Sequence, residues 1–260
     1  MFVTSRAKGI GSSLVLRGLL VALFFLAPVI SGRAQDDPLQ TVLQAIHGVE
    51  GTLLNLTALT DEEENTIGRH LLEKIGKEKP FISSGKFDTG DIFRRLKGVV
   101  SRKAIGYELR ILRDDDFNAF AVAGGKTVLL KGMLDGLNTR DEVAFVIAHE
   151  IAHNELKHCV KKIQYAARAS GIHPLLGDVV QIAYSIYSIP FSQQEEMDAD
   201  ALGVKLMEKA GFDRKGMVRF FNKLEIMEKR FHADERDALN DFISSHPTAK
   251  RRLQALESGR

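Results

Sequence analysis

The chain has 260 residues, 44% of them hydrophobic and 27% charged, with a formal net charge of +2. That balance describes a globular chain of one domain or at most two, and gives no sign of a nucleic-acid partner. Four basic and no acidic residues fall within the first 34, so the remainder carries about −2, and the single cysteine, Cys159, allows no internal disulfide.

Arg6, Lys8 and Arg17 precede an uncharged apolar run over residues 18–30, and Ser31-Gly32-Arg33-Ala34 follows with small residues where a signal peptidase reads. Residues 1–34 are therefore expected to form a secretory signal cleaved after Ala34, leaving 35–260 as the working domain. The thirteen-residue run contains Pro28 and falls short of the roughly eighteen residues that cross a bilayer, so no spanning segment is expected in the mature chain. Proximity to a membrane stays open. Export without disulfides suits a bacterial periplasm or cell envelope.

Residues 38–59 have the apolar spacing of a helix, and Thr60-Asp61-Glu62-Glu63 caps a second one running to about Gly76. Residues 77–98, rich in Gly, Ser, Lys and Asp, read as loop or short helix. Tyr107-Glu108-Leu109-Arg110-Ile111-Leu112 alternates as a strand, residues 118–123 form a second extended segment, Gly124-Gly125 turns the chain, and residues 126–131 return as a third strand. A short helical stretch at Gly132-Met133-Leu134 leads to Thr139, whose spacing to Glu142 is that of a capping box. Residues 172–191 are apolar but interrupted by His173, Asp178 and Gln181, which favours a buried or substrate-facing helix over a membrane span. Helices are expected over 196–210, closed by Gly211, over 215–230, and after Pro247. The fold class is α+β: a mainly helical domain around a small antiparallel sheet.

The helix that starts at Thr139 carries His149-Glu150-Ile151-Ala152-His153. Residues four apart share a helix face, so two imidazoles can grip one Zn²⁺ while Glu150 stands beside them as a general base. Two surface histidines meeting by accident would lack that helical context. A catalytic zinc needs a third protein ligand, and Glu195-Glu196-Met197-Asp198-Ala199-Asp200 offers four carboxylates. The i, i+4 spacing favours Glu196 as ligand with Asp200 behind it, accepting the free N–H of His149; Glu195 with Asp198 is the second choice.

These two motifs, together with His158, with Ser245-His246-Pro247 and Arg252, and with Asn118-Ala119-Phe120-Ala121, Gly124-Gly125 and Gly132-Met133-Leu134 upstream, resemble the gluzincin metallopeptidase family that includes the CAAX prenyl endopeptidase and the bacterial HtpX and BepA proteases. The resemblance covers about residues 107–257. It implies one zinc ion per subunit held by His149, His153 and Glu196, with Glu150 as catalytic base and Asp200 supporting a ligand. His246 would lie over the metal, donating to the oxyanion or plugging the resting site. Arg252 matches a family arginine and reads equally as a structural ion pair. His158 also matches, but nine residues after His149 on a continuous helix it would face the other way, so it is excluded as a ligand. Gln193 and Asn154 depart from the pattern, where arginine and an apolar residue are common. Lacking the repeat extension of BepA and the membrane helices of HtpX, the chain resembles the minimal soluble members.

The expected activity is zinc-dependent hydrolysis of peptide bonds in unfolded or misassembled envelope proteins. Asn118, Ala119, Phe120 and Ala121 would form an edge strand to which a substrate backbone adds. The alternative is a chaperone-like or adaptor protein that binds unfolded chains over a latent peptidase site; a third reading is a structural metal module.

Overall fold

The computed structural model describes residues 59–83, 85–169, 176–231 and 249–257. The expected signal segment, the expected helix preceding Thr60 and the Ser245-His246-Pro247 motif lie outside these residues.

Helix α1 (Asp61–Glu78) begins as its cap dictates: Thr60 Oγ1 accepts from Glu63 N at 3.2 Å, and the Glu63 carboxylate accepts from Thr60 N at 2.8 Å. A two-residue strand, β1 (Phe81–Ile82), is followed by helix α2 (Thr89–Val99). The composition here allows loop or short helix, and a helix forms. Asp88 caps the helix by accepting from Asp91 N at 2.9 Å, and Ile92 and Leu96, one turn apart, are fully buried, so tertiary burial outweighs the low helix propensity of Gly90 and Gly98.

Strands β2 (Glu108–Leu112), β3 (Ala119–Val122) and β4 (Lys126–Leu130) complete a four-stranded sheet of order β1-β2-β4-β3. The pair β3·β4 is antiparallel, as expected, and β1, a strand the sequence reading did not foresee, pairs antiparallel with β2. The pair β2·β4 is parallel, with Ile111 opposite Leu129, and this corrects the expectation of a wholly antiparallel sheet. The reason is topological: the chain passes beyond the position of β4 before forming β3, and the tight turn then sends β4 back between them in the direction of β2. Gly124 and Gly125 both adopt φ 75°, a conformation that favours glycine, and a Cβ on Gly124 would lie 2.6 Å from the carbonyl oxygen of Glu64.

Helices α3 (Lys131–Gly136), α4 (Arg140–Glu155), α5 (His158–Ala169), α6 (Leu176–Ile186), α7 (Gln193–Lys209), α8 (Lys215–Phe231) and α9 (Ala249–Glu257) follow. Central strand β4 is buried throughout and feeds both sides of the sheet. Leu129 joins Ile111 and the apolar faces of α2, α4, α7 and α8, while Val128 and Leu130 join α1, α5 and α6. The apolar segment before Phe191 accordingly forms a helix with Val179, Ala183 and Ile186 in this second core, and among the described residues no helix is long and apolar enough to cross a membrane. Helix α4 is buried without a break from Glu142 to Asn154. A helix covered all round holds its side chains in fixed directions, which is what a metal centre requires.

Candidate metal centre

Two capping boxes aim the two helices of the site. At the start of α4, Thr139 Oγ1 accepts from Glu142 N at 3.3 Å and the Glu142 carboxylate accepts from Thr139 N at 2.7 Å. At the start of α7, Ser192 Oγ accepts from Glu195 N at 3.3 Å while the Glu195 carboxylate accepts from Ser192 N at 2.9 Å. Glu195 is thereby committed to the cap, and Asp198 accepts from Gln194 Nε2 on the exposed side. The second-choice pair faces away; Glu196 and Asp200 are the buried carboxylates, at 0% and 1% exposure. Gly203, one turn further on, lets α7 approach α4: a Cβ there would sit 3.1 Å from both Cα and N of His149.

His149, His153 and Glu196 converge, and among the described residues they form the group able to hold a metal ion. His149 Nε2 lies 3.1 Å from His153 Nε2 and 3.5 Å from Glu196 Oε2, and His153 Nε2 lies 3.4 Å from Glu196 Oε1. Nitrogen and oxygen donors about 2.0–2.2 Å from a tetrahedral centre are about 3.3–3.6 Å apart, so the two imidazole nitrogens and the two oxygens of the Glu196 carboxylate lie close to the separations a bound zinc requires, the nitrogens slightly nearer than that range.

Around this trio the partners are specific. Asp200 Oδ1 lies 3.0 Å from His149 Nδ1, the contact expected to orient that ring. Arg252, from α9, donates to the same carboxylate through Nε at 2.6 Å and Nη2 at 2.7 Å, and its Nη1 lies 3.1 Å from Glu196 Oε2. Of the two readings left open for Arg252, the structure places it in a buried ion pair that docks α9 on the site. Burial lowers the pKa of His149, but Asp200 and Glu196 outweigh it and lift the imidazole to about 10. Burial would also raise Asp200, yet Arg252 and His149 hold its carboxyl below the ordinary value.

Glu150 is 2% exposed, and the backbone of Ala121 in β3 lies near its carboxylate. Burial pushes its pKa up to about 7 against the charge of His149, which brings it to the range where a general base works near neutral pH. Strand β3 is the outer member of the sheet, paired only with β4 among the described strands. Ala119 and Ala121 are buried, Asn118 and Phe120 are half-buried, and the Phe120 ring packs on Tyr187 at 5.2 Å. His246 lies outside the described residues.

Several features escaped the sequence reading. Helix α4 does not run on: Lys157 adopts φ 61° and α5 restarts at His158. His158 stays outside the ligand set, but its Nδ1 comes back to 3.0 Å from His153 Nδ1, and the premise that it points away is corrected. Burial, with His153 alongside, holds His158 below the usual imidazole value. The Phe191 ring stacks on His153 at 4.0 Å. Asn154, the departure beside the second histidine, accepts from Gly125 N at 3.0 Å and so ties the metal helix to the β3–β4 turn. Gln193 is an exposed residue of the first turn of α7. No spacing rule reports these contacts, since each joins separate elements.

The chain is 29% identical over 174 residues to the mitochondrial metalloendopeptidase OMA1 of Schizosaccharomyces pombe, covering 64% of this chain and 50% of that protein. It is 28% identical over 225 residues to a putative beta-barrel assembly-enhancing protease of Vibrio cholerae, covering 79% of this chain and 45% of the relative. Against the beta-barrel assembly-enhancing protease of Escherichia coli K12 it is 26% identical over 219 residues, covering 76% and 44% respectively. The chain thus spans half or less of the length of these relatives. The model of peptidase family M48 matches residues 90–260, which include the two converging histidines, Glu150, Glu196, Asp200 and Arg252, and the chain belongs to that family.

Proposed function

We propose that the chain is a zinc-dependent endopeptidase acting on unfolded or misassembled proteins of a bacterial cell envelope. One observation carries the reading: two imidazoles and a carboxylate converge closely enough to hold one ion and stand beside a buried glutamate next to the outer strand of the sheet. Bound zinc supplies Lewis acidity, polarising a scissile carbonyl and acidifying a water near it. Glu150 takes the proton of the attacking water and passes it to the leaving amine, with no covalent enzyme intermediate. The edge of β3 at Asn118, Ala119, Phe120 and Ala121 receives the substrate backbone as an added strand. Recognition through main-chain groups tolerates many sequences, which suits unfolded chains. His246 is assigned to the oxyanion or to a resting plug. The names of the beta-barrel assembly-enhancing relatives, with residues 1–34 read as an export signal, support an envelope location.

The test is Glu150→Gln, measured for zinc content and casein cleavage. Retained zinc with lost cleavage is expected, and a variant as active as its parent removes Glu150 from the role of base. A parent that cleaves nothing but suppresses aggregation of unfolded protein, unchanged by Glu150→Gln, would replace the enzyme by a chaperone.

A further inference from the structure

We propose that His158 is a positioning residue that fixes the metal-binding tautomer of His153 by accepting its Nδ1 proton. The inference rests on the zinc reading above and concerns a histidine that reading leaves without a task. His153 is fully buried, and its Nε2 faces His149 and Glu196, so a ligating Nε2 must be bare and the one proton of the neutral ring must sit on Nδ1. That Nδ1 lies 3.0 Å from His158 Nδ1, a distance at which one nitrogen donates and the other accepts. Only one assignment is compatible with ligation: His153 donates, and His158 is neutral with its own proton on Nε2.

The geometry behind this contact is built into the chain. Lys157 at φ 61° ends α4 and turns the start of α5 back, so His158, 3% exposed, meets the turn of α4 that carries His153. The Phe191 ring, stacked on His153 at 4.0 Å and 17°, sets the plane of the imidazole; His158 sets its rotation within that plane. His149 has a different device, the Asp200 carboxylate. The two imidazoles of the centre therefore lean on unlike acceptors, one charged and one neutral. Outer partners of metal-bound histidines commonly account for about 10–100-fold in metal affinity, and His158 is assigned a contribution of that order at His153.

Two variants separate the hydrogen bond from simple packing. His158→Phe keeps a ring of similar size and removes the acceptor, whereas His158→Asn places an amide oxygen where Nδ1 stood. Zinc dissociation constants are measured by competition with a chromophoric chelator, and the melting temperature of each metal-free variant reports packing separately. The expected result is zinc binding about 10–100-fold weaker for Phe and largely recovered for Asn. A second measurement needs no variant: long-range ¹H–¹⁵N correlation spectra of the zinc-loaded parent should show a proton on His153 Nδ1 and none on His158 Nδ1. Parent-like zinc affinity in His158→Phe, or a proton on His158 Nδ1, overturns the proposal and leaves the metal site standing. A parent that takes up no zinc overturns both.

Discussion

Replacing Arg102 by methionine removes four donated contacts at one stroke, and the damage follows from the group left behind. Arg102 donates through Nη1 to Glu64 Oε1 at 3.3 Å and to the carbonyl of Asn154 at 2.7 Å, and through Nη2 to Glu64 Oε2 at 2.6 Å and Asp61 Oδ1 at 2.7 Å. The Asp61 side chain is 47% exposed, so its share is small. Glu64 is 1% exposed, and without Arg102 its buried carboxylate still accepts from the N–H of Gly124 at 3.1 Å but loses its cationic partner. Breaking a buried pair in this way costs about 3–5 kcal/mol; the partly exposed Arg102 side chain allows water to relax the site, which places the expected loss near 3 kcal/mol. Urea unfolding at neutral pH measures it. Glu64→Gln removes the stranded charge, so Arg102→Met combined with Glu64→Gln should be more stable than Arg102→Met alone. A loss under about 1 kcal/mol for the single variant, or a double variant in which the two losses simply add, would refute the argument. Because Glu64 also holds the β3–β4 turn and Asn154 closes the metal helix, KM for an unfolded substrate should rise while zinc affinity stays near that of the parent.

Gly203→Ala puts a methyl group 3.1 Å from the His149 backbone, so α7 must withdraw by a few tenths of an ångström. A stability loss of about 1–3 kcal/mol together with weaker zinc binding is expected, and calorimetry beside chelator competition checks both. The metal-free centre should titrate. His149, raised to about 10, contributes stability that is fully present below about pH 6.5 and is lost as the pH climbs toward 10, and Glu150, raised to about 7 by burial, acts in the same direction. Zinc binding has the opposite slope, because the ion must displace the His149 proton: affinity should gain about tenfold per pH unit through the neutral range. Zinc affinity that does not change between pH 6 and 8 would contradict the proton assignment.

Much of the site was written in short-range spacing. The i, i+4 separations of His149 with His153 and of Glu196 with Asp200 put each pair on one helix face wherever those helices lie, and Thr60, Thr139 and Ser192 begin helices through contacts three residues away. Helical geometry repeats, so such relations survive any packing. The choice of Glu196 over Glu195 was legible for the same reason, although the structure adds that Glu195 is spent on its own cap.

What the amino-acid order alone determined was therefore the inventory: two helices with candidate ligands on defined faces, a glycine turn, and an α+β architecture. Tertiary structure decided how the pieces face one another. A single residue at φ 61° turned His158 back to His153; the path of the chain around β4 made one strand pair parallel; and packing brought Arg252 to Asp200 across 52 positions and the edge of β3 to Glu150. These contacts join groups far apart in sequence, and their energies depend on burial and on which partners remain, quantities no local pattern contains.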